Sequence, residues 1–390
     1  MGDPFEAIVG AAHVSRPDAD ELCGARVVAV VRPGSAEELA ACLRAASESR
    51  IPVVPVGGGS KLGFGNDLDA RECVRLELAR LPASIELDPD EGVADVAASA
   101  ALEAFARAAR EVGKVSSLEP LHAGATLGGA IAVDPPGLDF SPDARARDDL
   151  LGIEVALANG ELARAGGRVV KNVTGFDLVR LYCGSLGTLG VITRACVRLR
   201  AAPETAATAR ARFASLDAAL DALARSGFAG RAALRVDSGG VELWCRFAGA
   251  PADVEAERKL APGEPGAAGS WDTLRAELAA VPAPGTARVR LGARPSDVAL
   301  LCRALGAAVR LALPRAGLVF ACAEAAALPE LAALAERAGA AFALERAPGA
   351  GPVGCDAFGA APPALALMRA LKARFDPARV LSPGRFVGGI

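Results

Sequence analysis

The stretch Ile51-Pro52-Val53-Val54-Pro55-Val56-Gly57-Gly58-Gly59-Ser60 decides how this chain is read. A short β-branched apolar run halts at a glycine triplet, as a buried strand does when it ends in a tight turn. Upstream, Arg26 to Arg32 is a second apolar run. Ser35 with Glu38 three residues on forms a capping box, and Leu39 and Leu43 mark the apolar face of the helix that follows. Strand, helix and strand together predict a unit of the parallel type, with the glycine loop at the carboxyl end of its second strand. Without Cβ atoms such a loop can adopt positive φ, and its successive N–H groups converge into a nest for phosphate oxygens. It is not a Walker loop, because Lys61 follows Ser60 where Gly-Lys-Ser/Thr is needed. Nor does it open a helix as a dinucleotide fingerprint would, since Leu62-Gly63-Phe64-Gly65-Asn66 continues as loop. Alone, the loop is also compatible with a ligand-free turn.

Further strands are predicted at Arg75 to Leu78, Ile85 to Leu87 and Gly92 to Val96, and a helix at Leu102 to Val112, all assigned to this first α/β subdomain. From Leu121 to about Leu199, glycine-rich turns alternate with short apolar runs such as Ile153 to Leu157 and Gly190 to Thr193, which predicts a second subdomain. Pro203 marks a boundary. Beyond it, strands are predicted near 209–213, 233–236, 241–246, 288–291, 309–313, 318–322 and 342–345, and helices near 216–225, 296–305 and 328–338. Their order suggests two ferredoxin-like strand-helix-strand-strand-helix units, with Pro262 to Gly269 as the linker.

At 390 residues, 52% of them hydrophobic and 23% charged, the chain is long enough for two or three domains with real cores. The formal net charge of -3, with Lys and Arg scattered, offers no footprint for nucleic acid. No apolar run reaches the roughly 18 residues of a membrane span, and the start Met1-Gly2-Asp3-Pro4 shows no export signal, so cytoplasm is expected. Nine widely spaced cysteines without a Cys-x-x-Cys pair argue against iron–sulfur, structural zinc and disulfides. The two histidines, His13 and His122, cannot build a multi-histidine metal centre, so no metal is expected.

A second glycine loop follows at His122-Ala123-Gly124-Ala125-Thr126-Leu127-Gly128-Gly129-Ala130, offering a hydroxyl, paired glycines and close backbone approach. Two nests suit a pyrophosphate, and Ala130 and Ala132 leave room for a flat ring system. Then come Arg147-Asp148, the run Lys171-Asn172-Val173-Thr174-Gly175-Phe176-Asp177-Leu178, and Gly187-Thr188-Leu189-Gly190-Val191-Ile192. In order and spacing these loops resemble the successive FAD loops of the vanillyl-alcohol oxidase/p-cresol methylhydroxylase (PCMH-type) superfamily. The run from Lys171 to Leu178 and the position of His122 are similar to the FAD-binding E subunits of bacterial glycolate oxidases. Phe375-Asp376-Pro377 with Leu381-Ser382-Pro383-Gly384-Arg385 resembles that family's closing segment.

The resemblance implies an α+β fold. A PCMH-type FAD-binding domain of two α/β subdomains would span 22–202, an α/β cap of ferredoxin-like units 203–360, and a segment returning to the FAD domain 361–390. It implies FAD contacts from Pro55, Val56, Gly57, Gly58, Gly59, Ser60, Lys61, Gly124, Thr126, Leu127, Gly128, Gly129, Ala132, Arg147, Asp148, Gly190, Val191 and Ile192. Relatives with covalent flavin commonly place a His after the glycine pair; Ser60 stands here, so noncovalent FAD is expected. Where E subunits carry Gly-Pro-Arg-Arg and a glycine near Ala144, this chain reads Gly137-Leu138-Asp139-Phe140-Ser141-Pro142-Asp143.

Oxidising a 2-hydroxy acid needs a carboxylate clamp, a base for the hydroxyl proton and the α-carbon held against the flavin. Superfamily dehydrogenases acting on such acids typically carry a histidine-rich motif in the cap, and residues 203–360 contain no histidine. His122 is then the candidate base, with a packing role as its alternative. Lys171 reads as a solvated or flavin-adjacent charge and Asp177 as a helix cap. Three readings follow: the flavin subunit of a glycolate-oxidase-like complex, with a D-type flavoprotein subunit and an iron–sulfur subunit as partners; a self-sufficient dehydrogenase using His122; and a scaffold that has lost FAD. Association with the inner membrane is expected only through partners.

Overall fold

A computed structural model describes residues 4–118, 120–138, 146–168, 176–266, 270–346 and 354–390. The loop from Asp139 to Ala144 and the residues Lys171 to Gly175 lie outside them. The chain divides into two compact units. The first comprises Met1–Gly137, Ala144–Arg200 and Ala361–Ile390, and the second Leu138–Asp143 and Ala201–Ala360.

In the first unit, strand Ala25–Val31, helix Ala36–Ser49 and strand Val53–Val56 form the expected parallel unit. The Ser35 hydroxyl accepts from the Glu38 N–H at 3.1 Å, and the Glu38 carboxylate accepts from the Gly34 N–H at 2.7 Å, so the capping box closes one residue further back. Arg50 ends the helix in the left-handed conformation (φ 53°), and Pro52 prevents its resumption. Leu39, Cys42, Leu43 and Ala46 are wholly buried against the sheet, worth about 2 kcal/mol for each leucine. Glu72–Glu77 inserts between the other two strands, parallel to both.

The second sheet is antiparallel, in the order Leu162–Gly166, Leu150–Ala156, Val191–Arg198, Val93–Ala97 and Ile85–Asp88. This corrects the sequence-based grouping, which placed Ile85 to Val112 with the first subdomain. Val96, Leu102 and Phe105 pack instead with Ile153, Val155 and Ile192, because Val93–Ala97 pairs with Val191–Arg198.

The C-terminal segment is stitched into the first sheet. After helix Leu365–Phe375, Val53 donates to the Val380 carbonyl at 2.7 Å, and Ser382 donates back to the Val53 carbonyl at 2.9 Å. Lys372, itself buried, donates to Asp376 (2.7 Å) and to the carbonyls of Thr188 (2.8 Å) and Leu381 (2.7 Å). The Asp376 carboxylate also accepts from the N–H groups of Val380 and Leu381. Burial draws the Lys372 ammonium below its ordinary value, and Asp376 opposes that shift.

The second unit is one eight-stranded antiparallel sheet. Thr205–Phe213, Leu216–Arg225, Arg231–Asp237, Gly240–Gly249 and Pro251–Leu260 form one strand-helix-strand-strand-helix unit. Thr286–Gly292, Val298–Leu305, Val309–Leu313, Leu318–Glu324 and Leu328–Arg337 repeat it. The two halves meet where Leu234 lies opposite Ala312. Two α-helices of this unit escaped the sequence reading. Pro251–Leu260 buries only Val254 and so has almost no apolar stripe, and Ser270–Ala279 directly follows the stretch taken as linker. Within that stretch Glu264–Pro265 is an edge strand, paired with Ala209 and Arg210. No described helix is long and apolar enough to cross a membrane.

Asp376→Ala would leave the Lys372 ammonium buried without its carboxylate. A loss of about 3–5 kcal/mol is expected in denaturant unfolding of the first unit, whereas a loss below about 1 kcal/mol would show that the staple carries little.

Candidate functional site

Strand Val53–Val56 delivers the glycine triplet directly against the second glycine loop. A Cβ on Gly57 would strike the Thr126 hydroxyl, and one on Gly58 would overlap the Gly124 carbonyl, so the two backbones touch where no side chain fits. Gly59 turns the chain with φ 70°. Thr126 caps helix Leu127–Val133, its hydroxyl accepting from the Gly129 N–H at 3.3 Å. Gly128 lies so close to Ala98 that an added Cβ would stand 2.7 Å from the alanine methyl, which ties the second loop to strand Val93–Ala97.

Along this junction run two adjoining clefts, of about 110 Å³ and about 230 Å³, both walled by Gly57, Gly58, Thr126, Gly129 and Leu186. Pro55, Val56, Gly59, Ser60, Lys61, His122 and Ala132 line the first, and Gly128, Gly190, Val191 and Ile192 the second. The candidates from three separate loops therefore meet. Others do not reach the clefts. Leu127 is core, and Gly124 supports Gly58 from behind. Arg147 and Asp148 line neither cleft: Asp148 pairs with Arg180 at 2.8 Å, and the neighbouring Asp149, fully buried, takes both ends of the Arg200 guanidinium at 2.6 and 3.1 Å. Arg147 acts through space on the thiol of Cys183, which burial pushes far above its usual range. Asp177 caps helix Leu178–Tyr182, accepting from the Arg180 N–H at 3.1 Å. Lys171 and Asn172 lie outside the described residues.

Ser382 and Arg385 are among the lining residues absent from the sequence candidates, although the segment carrying them had been read as returning to this unit. Among the described residues the only charged ones on the first cleft are Lys61 and Arg385, and no carboxylate lines either cleft. His122 is buried, 9% exposed. Among the described residues no group of three His, Cys, Asp or Glu side chains could hold a metal ion.

Comparison with known proteins gives this geometry a context. The model of an FAD binding domain matches residues 27–166. Glycolate oxidase subunit GlcD of Bacillus subtilis is 35% identical over 192 residues, 49% of this chain and 41% of that one. D-lactate dehydrogenase of Archaeoglobus fulgidus is 36% identical over 170 residues, 44% of this chain and 38% of that one. The chain thus spans about two fifths of the length of these two relatives. Glycolate oxidase subunit GlcE of Escherichia coli is 30% identical over 260 residues, 66% of this chain and 72% of that one. The chain belongs to this FAD-binding oxidoreductase family. The crystal structure of p-cresol methylhydroxylase with substrate bound shares the fold, with a TM-score of 0.71 at 17% identity, covering 98% of this chain and 95% of that one.

The cofactor is FAD, and the clefts suit it. Glycine backbone crowded against glycine backbone supplies N–H donors without side chains in the way, and the described charges lining the first cleft are both positive, as a pyrophosphate requires. Gly58→Asp would force a carboxylate between the two loops. The purified variant is expected to lose its flavin absorbance, and wild-type retention of FAD would refute the placement of the cofactor at this junction.

Proposed function

We propose that the chain is the FAD-carrying subunit of a complex that oxidises a small 2-hydroxy acid of the glycolate type. In this reading a D-type flavoprotein subunit oxidises the acid and an iron–sulfur subunit receives the electrons. One observation carries it: residues 203–360 contain no histidine, while the only two in the chain are His13 and His122. The cap therefore lacks the imidazoles with which such a dehydrogenase would hold a metal or take the hydroxyl proton. The extent of the likeness to glycolate oxidase subunit GlcE, 72% of that protein against 41% of GlcD, supports the same reading.

Bound FAD supplies a two-electron acceptor that can pass electrons on singly. The chain's own residues hold it. Gly57 to Ser60 present backbone donors, Thr126 presents a hydroxyl, Lys61 and Arg385 supply positive charge, and Val191 and Ile192 line the second cleft. With Ser60 after the glycines, no histidyl bond can form at that position, so the flavin is held noncovalently. The intact clefts count against a scaffold that has lost its cofactor.

A second reading is favoured by His122, which lines the first cleft and is the one imidazole placed to act as a base in a self-sufficient dehydrogenase. Anaerobic addition of glycolate or D-lactate to the purified chain separates the two. The subunit reading expects the flavin absorbance to persist until partner subunits are added. Bleaching by substrate alone, abolished in His122→Ala, would establish the self-sufficient enzyme instead.

A further inference from the structure

Arg385 holds a positive charge that its visible contacts do not neutralise. The residue is 7% exposed, and its guanidinium donates to the backbone carbonyls of Leu62 (2.8 Å), Phe64 (2.5 Å) and Asn66 (2.5 Å). All three acceptors are uncharged. Among the described residues no carboxylate comes within ion-pairing distance of it. Asp67 and the Cys23 thiol act on it only through space, and burial draws the guanidinium below its ordinary value in spite of them. A buried charge without a counter-ion is costly, and holding three carbonyls in a loop does not by itself require one. The same residue lines the first cleft, and among the described residues the only other charged one on its wall is Lys61.

We propose that Arg385 is the fixed counter-cation of the cofactor's pyrophosphate, delivered to the glycine-loop cleft by the C-terminal segment. The backbone donors of the glycine loop can solvate two ionised phosphates but carry no full charge, and a guanidinium supplies what they lack. Its three carbonyl bonds fix the turn from Leu62 to Asn66 just past the nest, so one side chain both shapes the loop and balances the ligand. The proposal rests on FAD occupying these clefts. If Gly58→Asp retains FAD, that underlying reading fails whatever the Arg385 variants do.

The test titrates apoprotein separately with FAD, ADP and riboflavin by calorimetry, for wild type, Arg385→Gln and Arg385→Lys. Arg385→Gln is expected to weaken FAD and ADP on the order of tenfold or more, the scale of a lost charge-assisted hydrogen bond, while riboflavin, which has no phosphate, is unchanged. Arg385→Lys keeps the charge and should retain most of the ADP affinity. Unchanged ADP affinity in Arg385→Gln overturns the proposal. So does an equal loss for ADP and riboflavin, which would mark a purely structural residue. Should the glutamine variant not fold, Arg385→Lys decides: retained ADP binding supports the proposal, and a folded lysine variant without it contradicts the proposal.

Discussion

Two backbones touch at Gly58 and Gly124, and the rest of the first unit is arranged so that they can. A single methyl on Gly58 would occupy the Gly124 carbonyl, and one on Gly57 the Thr126 hydroxyl, so the loops can meet only with glycine at both positions. The parallel strand Val53–Val56 brings one loop, and the cap of helix Leu127–Val133 brings the other. Strands Val93–Ala97 and Val191–Arg198 hold the second loop from below through Ala98 and Gly128. Packing therefore concentrates its precision on one glycine turn and the helix cap it meets, and binding inherits that precision.

The chain's last thirty or so residues complete this junction instead of trailing from it. Lys372 and Asp376 form a buried hub joined to Thr188, Val380 and Leu381, the sequence neighbours of the cleft residues Gly187 and Ser382. Arg385 then bonds the turn beyond the glycine triplet, reaching Asn66 across 319 positions of sequence. Left-handed φ at Leu186 (54°) and Ser382 (43°), both cleft residues, shows backbone strain gathered at the same place.

Much of this architecture is legible in the sequence itself. The box at Ser35 and Glu38, the apolar run stopping at Gly57, and the repeated strand and helix signals after Pro203 are local patterns, and local patterns survive folding. What was not legible was non-local. Nothing in Glu72 to Glu77 announces that it pairs between Ala25–Val31 and Val53–Val56, or in Ile85 to Ala97 that it joins the second sheet, since pairing partners are chosen by tertiary contacts. Among the cleft-lining residues the glycines were readable because their requirement is local. Arg385 was passed over because its role exists only once the chain has returned, and Arg147 and Asp148 were included on motif order, although they lie outside the clefts.

Backbone amide hydrogen exchange with and without FAD tests the junction most directly. The account predicts that FAD slows exchange at 57–61 and 126–130 more than anywhere in 203–346, with a smaller effect at 380–386. Protection confined to the second unit, or none at the two glycine loops in a protein that binds FAD, would contradict it.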